Sequence, residues 1–304
     1  MSMKVLITGG TGLIGSRLTQ TLLERGYEVG LLSRSQQQRK NVTSFVWDPD
    51  KGFIDKDAIG WADAIIHLAG AGIADKRWTE KRKELIISSR NKSGDVLFQA
   101  LKKAQKTLQV FVGASAVGYY GGKQRDGVFH EDDAPVNDFQ SVTCQKWEEA
   151  SRQVQQLGIR TVVLRVGVVL AKEGGALPKM ALPVRFGVGS PLGSGRQPVP
   201  WIHIDDICGI FIKALEDVEM QGVYNAVAPE QATNRSLTKE IARVLRRPLI
   251  FPRVPGFALK LLLGEMSEIV LEGNHVSADK ISHAGYSFSH ATLSRALEDL
   301  FVKD

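Results

Sequence analysis

The 304-residue chain has only two cysteines, Cys144 and Cys208. So few thiols exclude a disulfide-stapled scaffold and suit a reducing cytoplasm. No apolar run is long enough to span a bilayer. The best stretch, 257–271, is interrupted by Lys260, Glu265 and Glu268 and falls short of the roughly 20 residues a spanning helix needs. The N-terminus runs directly into a glycine turn and leaves no room for a secretory leader, so a cytoplasmic location is expected. There is no internal repeat and no low-complexity segment. No His, Cys, Asp and Glu residues stand at metal-ligand spacing, and there is no Ser-His-Asp hydrolase elbow, so no metal is expected.

Lys4-Val5-Leu6-Ile7-Thr8-Gly9-Gly10-Thr11-Gly12-Leu13-Ile14-Gly15 is an apolar strand, a glycine turn and a helix start. Gly10, Gly12 and Gly15 fit the G-x-G-x-x-G dinucleotide fingerprint, extended by Gly9. Glycine allows the tight turn and a close backbone approach to a pyrophosphate, and the helix N-terminus turns its unpaired N–H groups towards the anion. Gly9, Gly12, Leu13, Ile14 and Gly15 are therefore expected to line the cofactor.

The next strand, 27–32, ends in Ser33 and Arg34. An NAD-binding chain carries Asp or Glu there for the ribose 2′-hydroxyl. A guanidinium instead suits a 2′-phosphate, so the expected cofactor is NADP(H).

Further strands are expected over 43–47, 62–70, 108–116, 160–170 and 222–228. Helices alternate with them: 79–104, interrupted near 88–93, then 139–157, 207–215 and 236–245. A short strand is expected at 249–251, followed by helix to the end. This rhythm predicts βαβ units and a Rossmann-type, doubly wound parallel sheet. Residues 1–170, with 203–230 returning to them, form the dinucleotide-binding core. Residues 171–202 and 231–304 form a smaller, mostly helical substrate lobe. Its apolar face of Phe257, Leu261, Leu262 and Ile269 is expected to cover the cap.

Net charge is +6, with Lys and Arg crowded over 76–106. No nucleic-acid motif accompanies them, and a solvated helix face is expected. The expected partner is a small molecule of unknown identity, with neither nucleic acid nor membrane involved; the oligomeric state is left open.

The chain resembles the extended short-chain dehydrogenase/reductases, in particular the nucleoside-sugar epimerase group, over nearly its full length. The resemblance rests on the glycine turn, His67-Leu68-Ala69-Gly70, Gly113-Ala114-Ser115, Trp201-Ile202-His203-Ile204-Asp205-Asp206 and Tyr224-Asn225-Ala226-Val227-Ala228. The stretches Pro200–Asp206, Ala258–Met266 and Leu271–Gly273 are similar to an atypical branch labelled epimerase family protein.

That resemblance implies an oxidoreductase or epimerase-like enzyme, with Leu68, Ala69, Arg90 and Val169 as further cofactor contacts. Reductases of this superfamily use a Ser with a Tyr-x-x-x-Lys pair, the Tyr exchanging a proton and the Lys lowering its pKa. Ser115 fits the Ser position. The helix beginning Phe139-Gln140-Ser141-Val142-Thr143-Cys144-Gln145-Lys146 offers no Tyr and Lys in either register. A substitute acid could be Tyr119 or Tyr120, whose other reading is packing. Cys144 is a nucleophile only if its pKa is depressed, and otherwise a buried helical residue. Trp201 and His203 are candidate substrate-loop residues, with Asp205 or Asp206 capping the following helix. A non-catalytic NADP(H) sensor is the alternative to an enzyme.

Overall fold

The computed structural model describes residues 2–302. The first half comprises β1 (Lys4–Thr8), α1 (Leu13–Glu24), β2 (Glu28–Ser33), β3 (Val42–Asp48), β4 (Phe53–Ile54), α2 (Lys56–Trp61), β5 (Ala64–His67), α3 (Glu80–Ala104) and β6 (Val110–Ala116). Next come β7 (Val128–Phe129), α4 (Phe139–Gln155), β8 (Thr161–Val166), β9 (Val168–Leu170), α5 (Ala176–Arg185), β10 (Trp201–His203), α6 (Ile204–Glu216) and β11 (Gly222–Ala226). The chain closes with α7 (Asn234–Val244), α8 (Gly256–Leu263), α9 (Glu268–Leu271), β12 (His275–Val276), α10 (Asp279–His283) and α11 (Leu293–Val302).

Strands rich in Val, Ile and Leu assemble into one eight-stranded sheet in the order β11-β8-β6-β5-β1-β2-β3-β4. Every pairing is parallel except the β3–β4 hairpin. Both faces of the parallel strands are covered, as their near-continuous burial shows. One core lies against α1 and α6, around Leu18, Leu22, Ile207 and Phe211. The other lies against α3, around Phe111, Leu97 and Leu101. The chain leaves β1 for β2 on one side and reaches β5 on the other. That reversal opens a crevice at the carboxyl ends of β1 and β5, where doubly wound sheets take ligands.

Several sequence expectations need correction. The helix 80–104 is unbroken. The Ser88, Ser89 and Ser93 hydroxyls donate back to the carbonyls of Leu85, Ile86 and Arg90, so they are satisfied without opening the helix. The strand expected over 160–170 is two strands. At Gly167 a Cβ would come within 2.6 Å of Pro200 O, and the chain there leaves β11 to pair with β10. Residues 249–251 form no strand.

Helix α7 begins at Asn234, two residues ahead of the expected 236. Thr233 caps α7, with Ser236 returning its hydroxyl to close the box. The helix that follows β10 is capped neither by Asp205 nor by Asp206 but by His203, whose Nδ1 accepts the Asp205 N–H at 3.1 Å. Finally, the expected apolar face is largely open: α8 buries Leu259, but Phe257, Leu261 and Leu262 are 76%, 81% and 69% exposed.

Candidate functional site

The phosphate turn is built by contact. Gly9 sits at φ +69, and a Cβ on it would press on the Leu68–Ala69 backbone at 3.0–3.1 Å. A Cβ on Gly15 would lie 2.3 Å from Gly9 O and 2.7 Å from Gly10 Cα, so α1 packs directly on the turn. Gly12 differs. Its Cβ would meet only Gly9 O, at 3.3 Å. Its bare backbone borders a cavity of about 840 Å³, lined by Thr11, Gly12, Leu13, Ser16, Arg17 and His203 among others. Thus Gly15 makes the turn compact while Gly12 leaves it open.

Below the turn, Thr8 Oγ1 accepts the Leu68 and Ala69 N–H groups at 3.1 Å each and lies 2.8 Å from His67 Nδ1. With its lone pairs taken, the Thr8 hydroxyl gives its proton to His67. Burial holds His67 down to about 4, with Arg90's charge adding to the effect. His67 is thus a neutral, satisfied strand-end residue.

Arg34 is exposed at the end of β2, beside the half-buried Ser33. Arg39, not singled out from the sequence, reaches Ser16 Oγ near the start of α1. Arg90 is buried on α3. Its Nη1 donates to Ala71 O and Ile86 O, and its guanidinium lies 4.4 Å from the Trp147 ring. Nε is buried without a partner, and no carboxylate pairs with Arg90 among the described residues. Burial pulls it down to about 10, with Arg82 contributing. An uncompensated buried guanidinium is costly, so the chain's own groups leave an anion or acceptor to be supplied here. Val169 is half-buried on β9, paired with Ile202.

The corner between β6 and α4 is closed in on itself. Ser115, 1% exposed, donates to Glu148 Oε1 at 2.8 Å. The same oxygen accepts Arg165 Nε at 2.9 Å, and Arg165 Nη2 reaches Oε2 at 3.2 Å. Arg165 Nη1 donates to the Tyr120 hydroxyl and to Glu131 O. Tyr120 in turn donates to Asn225 Oδ1 at 2.7 Å. Its hydroxyl is therefore fully engaged, and burial raises it to about 12. That arrangement fits packing better than proton transfer. Tyr119 is half-buried, with its ring 3.3 Å from the Arg165 guanidinium carbon. Cys144 is buried, and burial lifts its thiol to about 12, ahead of the Glu148 charge. It is not a thiolate nucleophile at neutral pH.

The substrate-loop candidates lie elsewhere. Trp201 is fully buried and donates Nε1 to Glu230 O; it is a core residue. His203 is 1% exposed and stacks on His290 at 3.7 Å. The metal-ligating atoms of His203, His290 and Asp299 fall within 4.8 Å of one another, a grouping that sequence spacing did not show. Because His203 Nδ1 accepts the Asp205 amide, the ring proton sits on Nε2, facing Asp299 Oδ2 at 3.6 Å. That nitrogen presents a proton, not a lone pair, so the cluster is a latch between α6 and α11 in place of a metal centre. Asp206 completes the latch, accepting the Ser289 and His290 N–H groups and the Tyr286 hydroxyl. Its burial was not legible, since its partners lie more than 75 residues away.

With this geometry in place, the comparisons with known proteins converge. Residues 5–227 match the model of the NAD dependent epimerase/dehydratase family. The chain belongs to this family. Residues 254–300 match a domain of unknown function, DUF1731. The chain is 37% identical over 303 residues to epimerase family protein YfhF of Bacillus subtilis, covering 99% of this chain and 98% of that one. It is 36% identical to the human epimerase family protein SDR39U1, covering 98% and 99% respectively. A crystal structure of human SDR39U1 (isoform 2) with NADPH superposes with a TM-score of 0.87 at 34% identity, over 99% of this chain and 100% of that one. A Bacillus cereus UDP-glucuronic acid 4-epimerase shares the fold, with a TM-score of 0.79 at 21% identity.

Proposed function

We propose that the protein is an NADP(H)-dependent oxidoreductase or epimerase-like enzyme acting on a small molecule. The observation that carries this reading is the open glycine turn at the sheet's switch point, with Arg34 where an NAD-binding chain has an acid. The residues present fit the dinucleotide. Gly12 leaves a cradle that a side chain would fill, and Arg90 holds an unpartnered buried donor. Gly9, Gly12, Leu13, Ile14 and Gly15 would hold the pyrophosphate, Ser33 and Arg34 the 2′-phosphate, and Leu68, Ala69, Arg90 and Val169 the rest. The human relative seen with NADPH supports NADP(H) over NAD(H). When bound, the dinucleotide supplies or accepts a hydride.

The chain's own part follows from the β6–α4 corner. Ser115 spends its proton on Glu148, so towards a substrate it has only acceptor capacity to offer. Such a serine receives the O–H of a substrate hydroxyl better than it donates to a carbonyl. The expected substrate is therefore an alcohol, positioned by Ser115, with the half-buried Tyr119 the remaining phenol for proton exchange.

A second reading, a non-catalytic NADP(H) sensor, is favoured by one observation: the Ser115–Glu148–Arg165–Tyr120 chain is already satisfied internally. The test is absorbance at the reduced-nicotinamide band, with NADP or NADPH and a fractionated metabolite extract. A protein-dependent change establishes the redox enzyme. Tight NADPH binding with no change moves the reading to the sensor, or to an epimerase whose cofactor returns to its starting state.

A further inference from the structure

The C-terminal module carries an apolar surface that the chain leaves open. Phe257, Leu261 and Leu262 project from α8, an eight-residue helix, while the preceding strap exposes Ile250 and Phe251 at 73% and 52%. The strap runs beside the segment that follows α5. Val254 N donates to Pro191 O, Gly193 N donates to Val254 O, and Ser190 Oγ donates to Phe251 O. That neighbouring segment exposes Phe186 and Val188 in turn. Apolar side chains are thus exposed on three adjoining chain segments.

Charge identifies what they face. Residues 235–262 hold seven cations, Arg235, Lys239, Arg243, Arg246, Arg247, Arg253 and Lys260, and one carboxylate, Glu240. This stretch carries an excess of six positive charges. Glu240 is itself paired with Arg243, which α11 also meets through Glu298, so the open cations are the others. Arg235, Lys239 and Arg253 surround a groove of about 310 Å³ whose other walls are Pro191, Leu249 and Phe251. Among the described residues no carboxylate lines it. Cations around projecting aromatic and aliphatic tips match an interface that is anionic outside and hydrocarbon within.

We propose that this end of the C-terminal module docks on an anionic lipid bilayer, with Phe251, Phe257, Leu261 and Leu262 entering the headgroup region and Arg235, Lys239 and Arg253 meeting lipid phosphates. This is peripheral contact. The expected absence of a membrane partner concerns a spanning segment, and no helix among the described residues is long and apolar enough to cross a membrane. A buried peptide groove is a poorer match, because the apolar groups stand out as tips. The docking is independent of nucleotide binding.

The test is co-sedimentation of the full chain with extruded vesicles of phosphatidylcholine alone and of phosphatidylcholine with phosphatidylglycerol. Binding to the anionic vesicles is expected to exceed binding to neutral ones by at least about tenfold and to fall as salt rises. Lys239→Glu with Arg253→Glu should lose roughly fivefold or more per cation. Leu261→Ser with Leu262→Ser should weaken binding while leaving charge intact. All these positions are on the surface, so the melting temperature and NADPH affinity of each variant should match the parent. Absent binding to anionic vesicles, or binding that survives both variants, overturns the proposal. So does a concentration-dependent doubling of mass, abolished by the Leu261 and Leu262 changes, with no lipid binding. That outcome would assign the face to a second copy of the chain.

Discussion

The glycine turn and the β6–α4 corner lie at the carboxyl ends of neighbouring parts of one sheet, yet they are built on opposite plans. At the turn, side chains are missing. Gly12 exposes backbone to a cavity, and Arg34 and Arg90 bring charges that no carboxylate among the described residues answers. At the corner, side chains answer one another from Ser115 through Glu148 and Arg165 to Tyr120 and Asn225, leaving the Asn225 Nδ2 buried without a partner at the far end. An open site asks for a ligand, whereas a closed network supplies rigidity. The chain is thus better prepared to hold a dinucleotide than to transfer a proton.

Substitutions can break that contrast, beginning with the strongest. Glu148→Ala strips the counter-ion from Arg165, which is 2% exposed. Leaving a buried charge unpaired costs about 3–5 kcal/mol, so a large drop in melting temperature is expected, and an unchanged melt would show that the network is not structural. Gly12→Val should lower nucleotide affinity by roughly a hundredfold, in line with about 3 kcal/mol of lost and blocked contacts, while leaving the fold intact. Gly15→Val should damage both, because its Cβ collides with Gly9 O. Equal thermal penalties for the two glycine variants would erase the distinction between a packing glycine and a ligand-facing one.

Acid should weaken the fold. Buried His67 and His203 are both held near 4, against an ordinary value of 6.5. The unfolded chain therefore binds protons that the folded one refuses. Stability is full above about pH 6.5 and falls as the pH drops towards 4. Thermal melts across that window check it, and a flat profile would mean that these histidines protonate in place. Arg34→Ala should weaken NADPH by roughly tenfold, the size of one charge-assisted hydrogen bond, and leave NADH unaffected. The smallest effect belongs to Ser115→Ala. It removes one hydrogen bond, about 1 kcal/mol of stability, and should lower any turnover while sparing NADPH affinity. Unaltered turnover would remove Ser115 from the mechanism.

The same contrast explains what the sequence made legible. The glycine turn is a local object, since strand, turn and helix are consecutive and each glycine's reason lies within a few residues. The sheet followed from the regular alternation of elements. The closed corner was not readable, because Glu148 and Arg165 sit on different elements and Asn225 joins them from a third. The role of His203 as a cap depended on one ring nitrogen meeting the Asp205 amide. Periodicity marked α8 as having an apolar face, but periodicity does not say whether anything lies against it. At the corner the deciding partners were remote in the chain, whereas the His203 cap turned on the orientation of one ring two residues from its partner.

The measurement that most directly tests the central claim is a paired titration of the unmodified protein with NADPH and NADH, repeated on Arg34→Ala. NADPH should bind about tenfold tighter or more, with Arg34→Ala collapsing the two affinities to the NADH value. Equal affinities in the unmodified protein, or a preference that survives the loss of Arg34, would contradict the assignment of this turn and strand end to NADP(H).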